Sequence, residues 1–133
     1  MLDAMLDTNL CIRVIRDKPK AIRQRFVAEA NRLAISTIVL HELQTGVALS
    51  PDPQRHLAEL EEFLPRVVIL DFDEFAAIHA ADIKADLLKR GCVIGPNDLL
   101  IAGHARSLGL KLITGNLKEF TRVDGLRCED WLA

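Results

Sequence analysis

Apolar and polar positions along this chain follow two periods, and the pattern switches between them repeatedly. Short apolar runs at Leu2 to Leu6, Leu33-Ala34-Ile35, Val67 to Leu70 and Lys111 to Thr114 read as strands. Helical spacing fills the intervals. Asp7 to Ile15 predicts a short helix, and Pro19 suits the first turn of a basic helix running to about Asn31. Ser36 or Thr37 can cap a helix that reaches Leu49, and Pro51-Asp52-Pro53 then breaks the chain. Leu57, Leu60 and Leu64 mark the next helix, which Pro65 stops. Ala76, Ala80, Ile83 and Leu87 lie on one stripe of a long helix ending near Gly91. Asp98 to Leu108 is helical with Gly109 as its stop, and Leu126 to Glu129 closes the pattern as a short strand.

Strands that alternate with helices predict βαβ units, hence an α/β fold with a mainly parallel, doubly wound sheet and helices on both faces. Such sheets bind ligands outside the carboxyl ends of their strands. No repeat, low-complexity tract or linker divides residues 1–133, so one domain is expected.

Composition narrows the class. The chain has 133 residues, half of them apolar, enough to bury roughly two-thirds of its unfolded surface. No apolar run approaches the ~20 residues that cross a bilayer, and Met1-Leu2-Asp3-Ala4-Met5 lacks the basic start of a signal peptide. A cytoplasmic location with no membrane contact is therefore expected. Cys11, Cys92 and Cys128 are odd in number and widely spaced, which fits buried thiols rather than a disulfide framework or a zinc site. The net charge of −2 gives no global nucleic-acid signature. Locally, six bases (Arg13, Arg16, Lys18, Lys20, Arg23, Arg25) face one acid, Asp17, which is either a solvated helix face or a surface for phosphates.

Three acids stand in apolar settings: Asp7 after the first strand, Glu42 in Leu40-His41-Glu42-Leu43, and Asp98 after Ile94-Gly95-Pro96-Asn97. Desolvating a carboxylate costs several kcal/mol unless a cation or strong hydrogen bonds compensate. Asp7 and Asp98 can each also serve as helix caps. Thr8 and Asn9 are polar neighbours able to orient Asp7. Glu42 shares a helix face with Ile38, Thr45 and Leu49, and no base on that helix lies three or four residues away. Gathered together, the three would raise one another's pKa. Oxygen-only ligands select hard ions, so Mg²⁺ or Mn²⁺ is expected, and with it phosphate chemistry.

Taken in order, Met5-Leu6-Asp7-Thr8-Asn9, the Glu42 helix, Ile94 to Ala105, and Thr114-Gly115-Asn116-Leu117-Lys118-Glu119-Phe120 resemble the PIN-domain ribonucleases. More narrowly, they resemble the VapC toxins of bacterial toxin–antitoxin pairs, along essentially the whole chain. The resemblance implies a PIN-like fold and an acidic trio at Asp7, Glu42 and Asp98, acting as metal ligands in hydrolysis of RNA by metal-activated water. Where the family often carries a fourth acid this chain has Asn116, and Glu119 is the natural substitute. Thr8, Asn9, Thr114 and Asn116 would orient the ligands, and Arg13, Arg16, Lys18 and Lys20 would meet RNA phosphates. The resemblance further implies a VapB-like antitoxin that makes any DNA contact, a homodimer, and an RNA target that includes tRNA loops, initiator tRNA among them.

Two other readings compete. Val67 to Leu70 followed by Asp71-Phe72-Asp73 resembles the opening of haloacid-dehalogenase phosphatases, but Phe75 departs from that motif and Asp73 suits a helix cap. A receiver-like signalling module, the non-enzymatic alternative, would use Asp71 and Thr114. It needs an acidic pair after the first strand, where this chain has Thr8 and Asn9 beside Asp7. His41, His56, His79 and His104 show no ligand spacing, and too few aromatic residues are present for a base-stacking platform.

Overall fold

In this computed structural model, which describes residues 1–132, five strands form one all-parallel sheet in the order β3-β2-β1-β4-β5. They are β1 (Ala4–Leu6), β2 (Leu33–Ser36), β3 (Val68–Leu70), β4 (Lys111–Ile113) and β5 (Cys128–Glu129). The chain steps from β1 to β2 to β3 in one direction, then returns past β1 to β4 and β5. With right-handed crossovers, that reversal puts the connecting helices on opposite faces of the sheet. The switch point lies between β1 and β4, where Leu6 pairs with Ile113.

The helices before the reversal are α1 (Thr8–Arg16), α2 (Ile22–Ala28), α3 (Thr37–Ala48) and α4 (Pro53–Phe63), the last followed by a 3₁₀ turn at Leu64–Arg66. After it come α5 (Glu74–Lys89), α6 (Pro96–Ser107) and the short α7 (Leu117–Phe120). The stripe predicted on α5 is the buried one, with Ala76, Ala80, Ile83 and Leu87 all in the core. Gly103 of α6 lies so close to Ala80 that an added Cβ would come within 2.6 Å of the Ala80 nitrogen. Gly103 thus sets a tight α5–α6 contact.

Element boundaries depart from the sequence pattern where the chain bends. The basic helix is shorter than expected: Pro19 precedes it, and Ala21 stands at its N-cap with φ of 78°. The Arg23 guanidinium donates to the Val14 and Ile15 carbonyls at 2.9 and 3.0 Å, so a side chain from α2 caps the end of α1. Ile22, Phe26, Leu60 and Phe63 are core, and Phe26 stacks on Phe63 at 5.5 Å. The most apolar run, Val67 to Leu70, supplies an edge strand, so Val68 and Ile69 are exposed. Cys11 is buried, but Cys92 and Cys128 are only half-buried; all three are free.

Among the described residues, no helix is long and apolar enough to cross a membrane.

Candidate active site

Asp7 leaves β1 at the switch point. Its backbone nitrogen still donates to the Ile113 carbonyl of β4 at 3.1 Å, which continues the strand pairing by one residue. Its side chain then caps α1, Oδ1 accepting from the Leu10 nitrogen at 2.9 Å. Asp7 is therefore a helix cap and a cluster carboxylate at once. Oδ2 accepts from the Thr114 hydroxyl at 2.5 Å, and Thr114 also accepts from the Asn116 nitrogen at 2.9 Å. Both Asp7 and Thr114 are buried. Burial pushes the Asp7 carboxyl above its ordinary range; the Thr114 and Leu10 hydrogen bonds pull it back, and the Glu42 charge adds to the rise.

Glu42 reaches the same space from α3, which Ser36 caps at the end of β2, its hydroxyl accepting from the Ile38 nitrogen. With no base on its own helix to meet it, Glu42 accepts a 2.5 Å hydrogen bond from the Thr8 hydroxyl. Thr8 therefore orients Glu42, not Asp7 as its sequence position suggests. Asn9, the next residue on α1, is exposed.

Asp98 lies in the first turn of α6. It is not the cap that sequence left open: Gly95 occupies that position, with no side-chain bond. Behind Asp98, the face formed by Ile101, Ala102 and Ala105 is fully buried. The Asp98 carboxyl is raised to about 6, first by burial, then by the charges of Glu119 and Asp7, a hydrogen bond to Glu119, and the charge of Glu42.

Glu119 sits on the short helix α7. Its Oε1 accepts from the Gly95 nitrogen at 2.9 Å, and its Oε2 from the Asn116 amide at 2.5 Å. The Gly95 N–H is a contributor that sequence reasoning missed; its one signal was a glycine two residues before Asn97-Asp98. A Cβ at Gly95 would stand 3.4 Å from Asp98 Oδ2 and 3.9 Å from Glu119 Oε1, so both acids lie against this residue.

The four carboxylates Asp7, Glu42, Asp98 and Glu119 thus come from four elements into one electrostatic field. Every donor among them is oxygen, a set suited to a hard divalent cation. The elevation of Asp98 by its neighbours is the repulsion such a cation would relieve. Among the described residues, no three of these groups stand together as ligands of one ion; Glu42 is hydrogen-bonded to Thr8, and Glu119 to Gly95 and Asn116.

The basic segment divides. Arg13, Arg16, Lys18 and Lys20 are exposed, and the Arg13 charge reaches Asp7. Arg23 is committed to capping α1. Arg25 is paired with Glu129 at 2.7 Å and lies over the Trp131 ring at 5.3 Å.

The rival readings lose their geometry. Asp71 is exposed beyond the edge strand β3, with β2 and β1 between it and Thr114 just after β4, so a receiver-like pair does not form. Asp73 caps α5, accepting from the Ala76 nitrogen at 3.0 Å. His104 is buried, with Nδ1 2.8 Å from the Ser36 hydroxyl and its ring edge-on to Phe72. It holds α6 to the end of β2 and takes no part in the cluster.

Comparison with known proteins follows the same outline. The PIN domain family matches residues 4–126. The tRNA(fMet)-specific endonuclease VapC of Salmonella typhimurium is 50% identical over 131 residues, spanning 98% of this chain and 99% of that protein. Ribonuclease VapC2 of Haemophilus influenzae is 47% identical over 132 residues, spanning 99% of this chain and 100% of that protein. The crystal structure of DNA-bound VapBC from Salmonella typhimurium superposes with a TM-score of 0.94 at 50% identity, covering 98% of this chain and 99% of that one.

Proposed function

This chain belongs to the PIN-domain family, among its VapC ribonucleases, and we propose that it is a toxin endoribonuclease that hydrolyses RNA phosphodiesters at the carboxylate cluster. The observation that carries this reading is Asp98, raised to about 6 first by burial and then by the charges of Glu119, Asp7 and Glu42. A group of acids that oppose one another's ionisation suits a cation by its chemistry.

Asp7, Glu42 and Asp98 would hold Mg²⁺ or Mn²⁺, with Glu119 at the fourth side. Bound there, such an ion lowers the pKa of water and offsets charge developing on the phosphate oxygens. The chain's own residues fix the acids in place. Thr114 and the Leu10 nitrogen each donate to one Asp7 oxygen, which fixes the carboxyl in place and favours its charged form against the effect of burial. Thr8 sets the direction of Glu42, and Gly95 with Asn116 sets that of Glu119. Arg13, Arg16, Lys18 and Lys20 meet the RNA backbone.

Initiator tRNA is the proposed substrate, since a relative at 50% identity is named for it. The structural neighbour is a VapBC complex on DNA. By extension this chain pairs with a small VapB-like antitoxin that supplies the DNA contact, and it works in the cytoplasm as a homodimer of single-domain chains. Expression alone should arrest bacterial growth, and co-expression with the neighbouring gene should restore it. Sequencing RNA 5′ ends minutes after induction should show one new end in initiator tRNA. Growth without arrest by the folded protein, and no new end in any RNA, would refute the reading.

A further inference from the structure

Strand order places the carboxylates in a row. Glu42 belongs to the helix after β2, Asp7 follows β1, and Glu119 belongs to the helix after β4, while β1 lies between β2 and β4 in the sheet. A groove opens at each end of that row. The first, of about 520 Å³, begins at Glu42 and runs between α1, α3 and α4. Arg16 and Lys18 stand on one wall, and Arg55 and His56 on the other. The second, of about 540 Å³, begins at Glu119 and Gly95 and carries Lys118 and Arg122.

We infer that the two grooves form one track for a single RNA strand, which crosses the carboxylates with phosphates held on both sides of the cut. The inference rests on the proposed RNase activity and adds its substrate path. Charge complementarity favours an RNA backbone as occupant. Among the described residues, Arg16, Lys18 and Lys118 have no acidic partner. Arg55 touches Asp52 at 3.7 Å and Glu59 at 4.0 Å, long pairs on a side chain that is 67% exposed, and these are weak competitors for a phosphate. Glu59 is the one acid on the first groove's walls besides Glu42. Arg122 donates to the Val93 carbonyl at 3.2 Å, which fixes its guanidinium at the second groove. Cations at one end alone would hold one flank of a substrate; cations at both ends hold the scissile phosphate in register over Asp7 and Asp98.

Arg55→Gln and Lys118→Gln, one per groove, test the track on the full chain with labelled initiator tRNA. Binding is read by anisotropy in EDTA, across a salt series. Each variant should weaken binding several-fold and lower the slope of log K against log salt by about 0.7, and the double variant by about twice that. A photo-crosslinking residue at position 55 and another at 118 should label nucleotides on opposite sides of the cleavage position. Labels on the same side, or unchanged slopes in both variants, would overturn the track. Unchanged RNA binding with weakened capture of the neighbouring antitoxin would assign the grooves to protein and likewise overturn it. Binding in EDTA needs no cleavage, so failure of the nuclease reading would show separately, as intact RNA in Mg²⁺.

Discussion

The Thr114 hydroxyl donates to Asp7 Oδ2 at 2.5 Å, joining the ends of adjacent parallel strands across 107 positions of sequence. This buried bond stabilises the charged form of a carboxylate that burial otherwise pushes toward neutrality. Thr114→Val keeps the shape but removes the donor, so Asp7 should rise further. A hydrogen bond to a charged group contributes about 1.5–3 kcal/mol, and that is the expected loss in urea melts at neutral pH. Thr114→Ser should recover most of it, and cleavage should follow the same order.

Asp98 gives a pH dependence of definite sign. Its carboxyl sits at about 6 in the folded, metal-free protein, against about 3.9 in an unfolded chain. The native state therefore binds more protons between about pH 4 and pH 6, and stability falls as pH rises through that window. Asp98→Asn removes the effect. It should stabilise the metal-free protein by about 1 kcal/mol at pH 7, after discounting for solvent screening of a half-buried group, and by nothing near pH 4. Denaturation in EDTA at the two pH values checks this.

Most of the fold was readable because its helices and strands have distinct periods. Asp7, Glu42 and Asp98 stood out as acids in apolar surroundings, and the structure places them in one field. What stayed hidden was long-range. Nothing near Glu42 in sequence announces Thr8 as its partner, 34 positions away, and a backbone donor such as the Gly95 N–H has no side-chain signature. Four residues are too few for α7 to show a period. Six clustered bases looked alike, yet Arg23 and Arg25 are bound to groups that only folding brings near.

The fourth position distinguishes Glu119 from Asn116. Asn116 acts on the cluster by donating to Glu119 Oε2, whereas Glu119 carries the charge. Glu119→Gln should weaken Mn²⁺ binding about tenfold or more in calorimetric titrations, and Asn116→Ala by a smaller factor. The reverse order would assign the position to Asn116.

His104 predicts a separate acid sensitivity. Burial lowers its pKa, with Asp73 and Asp71 partly opposing the shift. The unfolded chain then binds the proton more readily, so this contribution to stability is present above about pH 6.5 and fades as pH falls through the lower folded value. His104→Gln should flatten that part of the stability–pH curve, measured by thermal melts in a buffer series.

On the proposed function, Asp7, Glu42 and Asp98 together would hold a divalent cation on which RNA cleavage depends. Purified protein incubated with initiator tRNA across a Mg²⁺ titration measures it directly. Cleavage should rise from nothing in EDTA to saturation in Mg²⁺, and should be absent at every Mg²⁺ concentration from folded Asp7→Ala, Glu42→Ala and Asp98→Ala proteins. Full cleavage in EDTA, or undiminished cleavage by any of the three variants, would contradict the account.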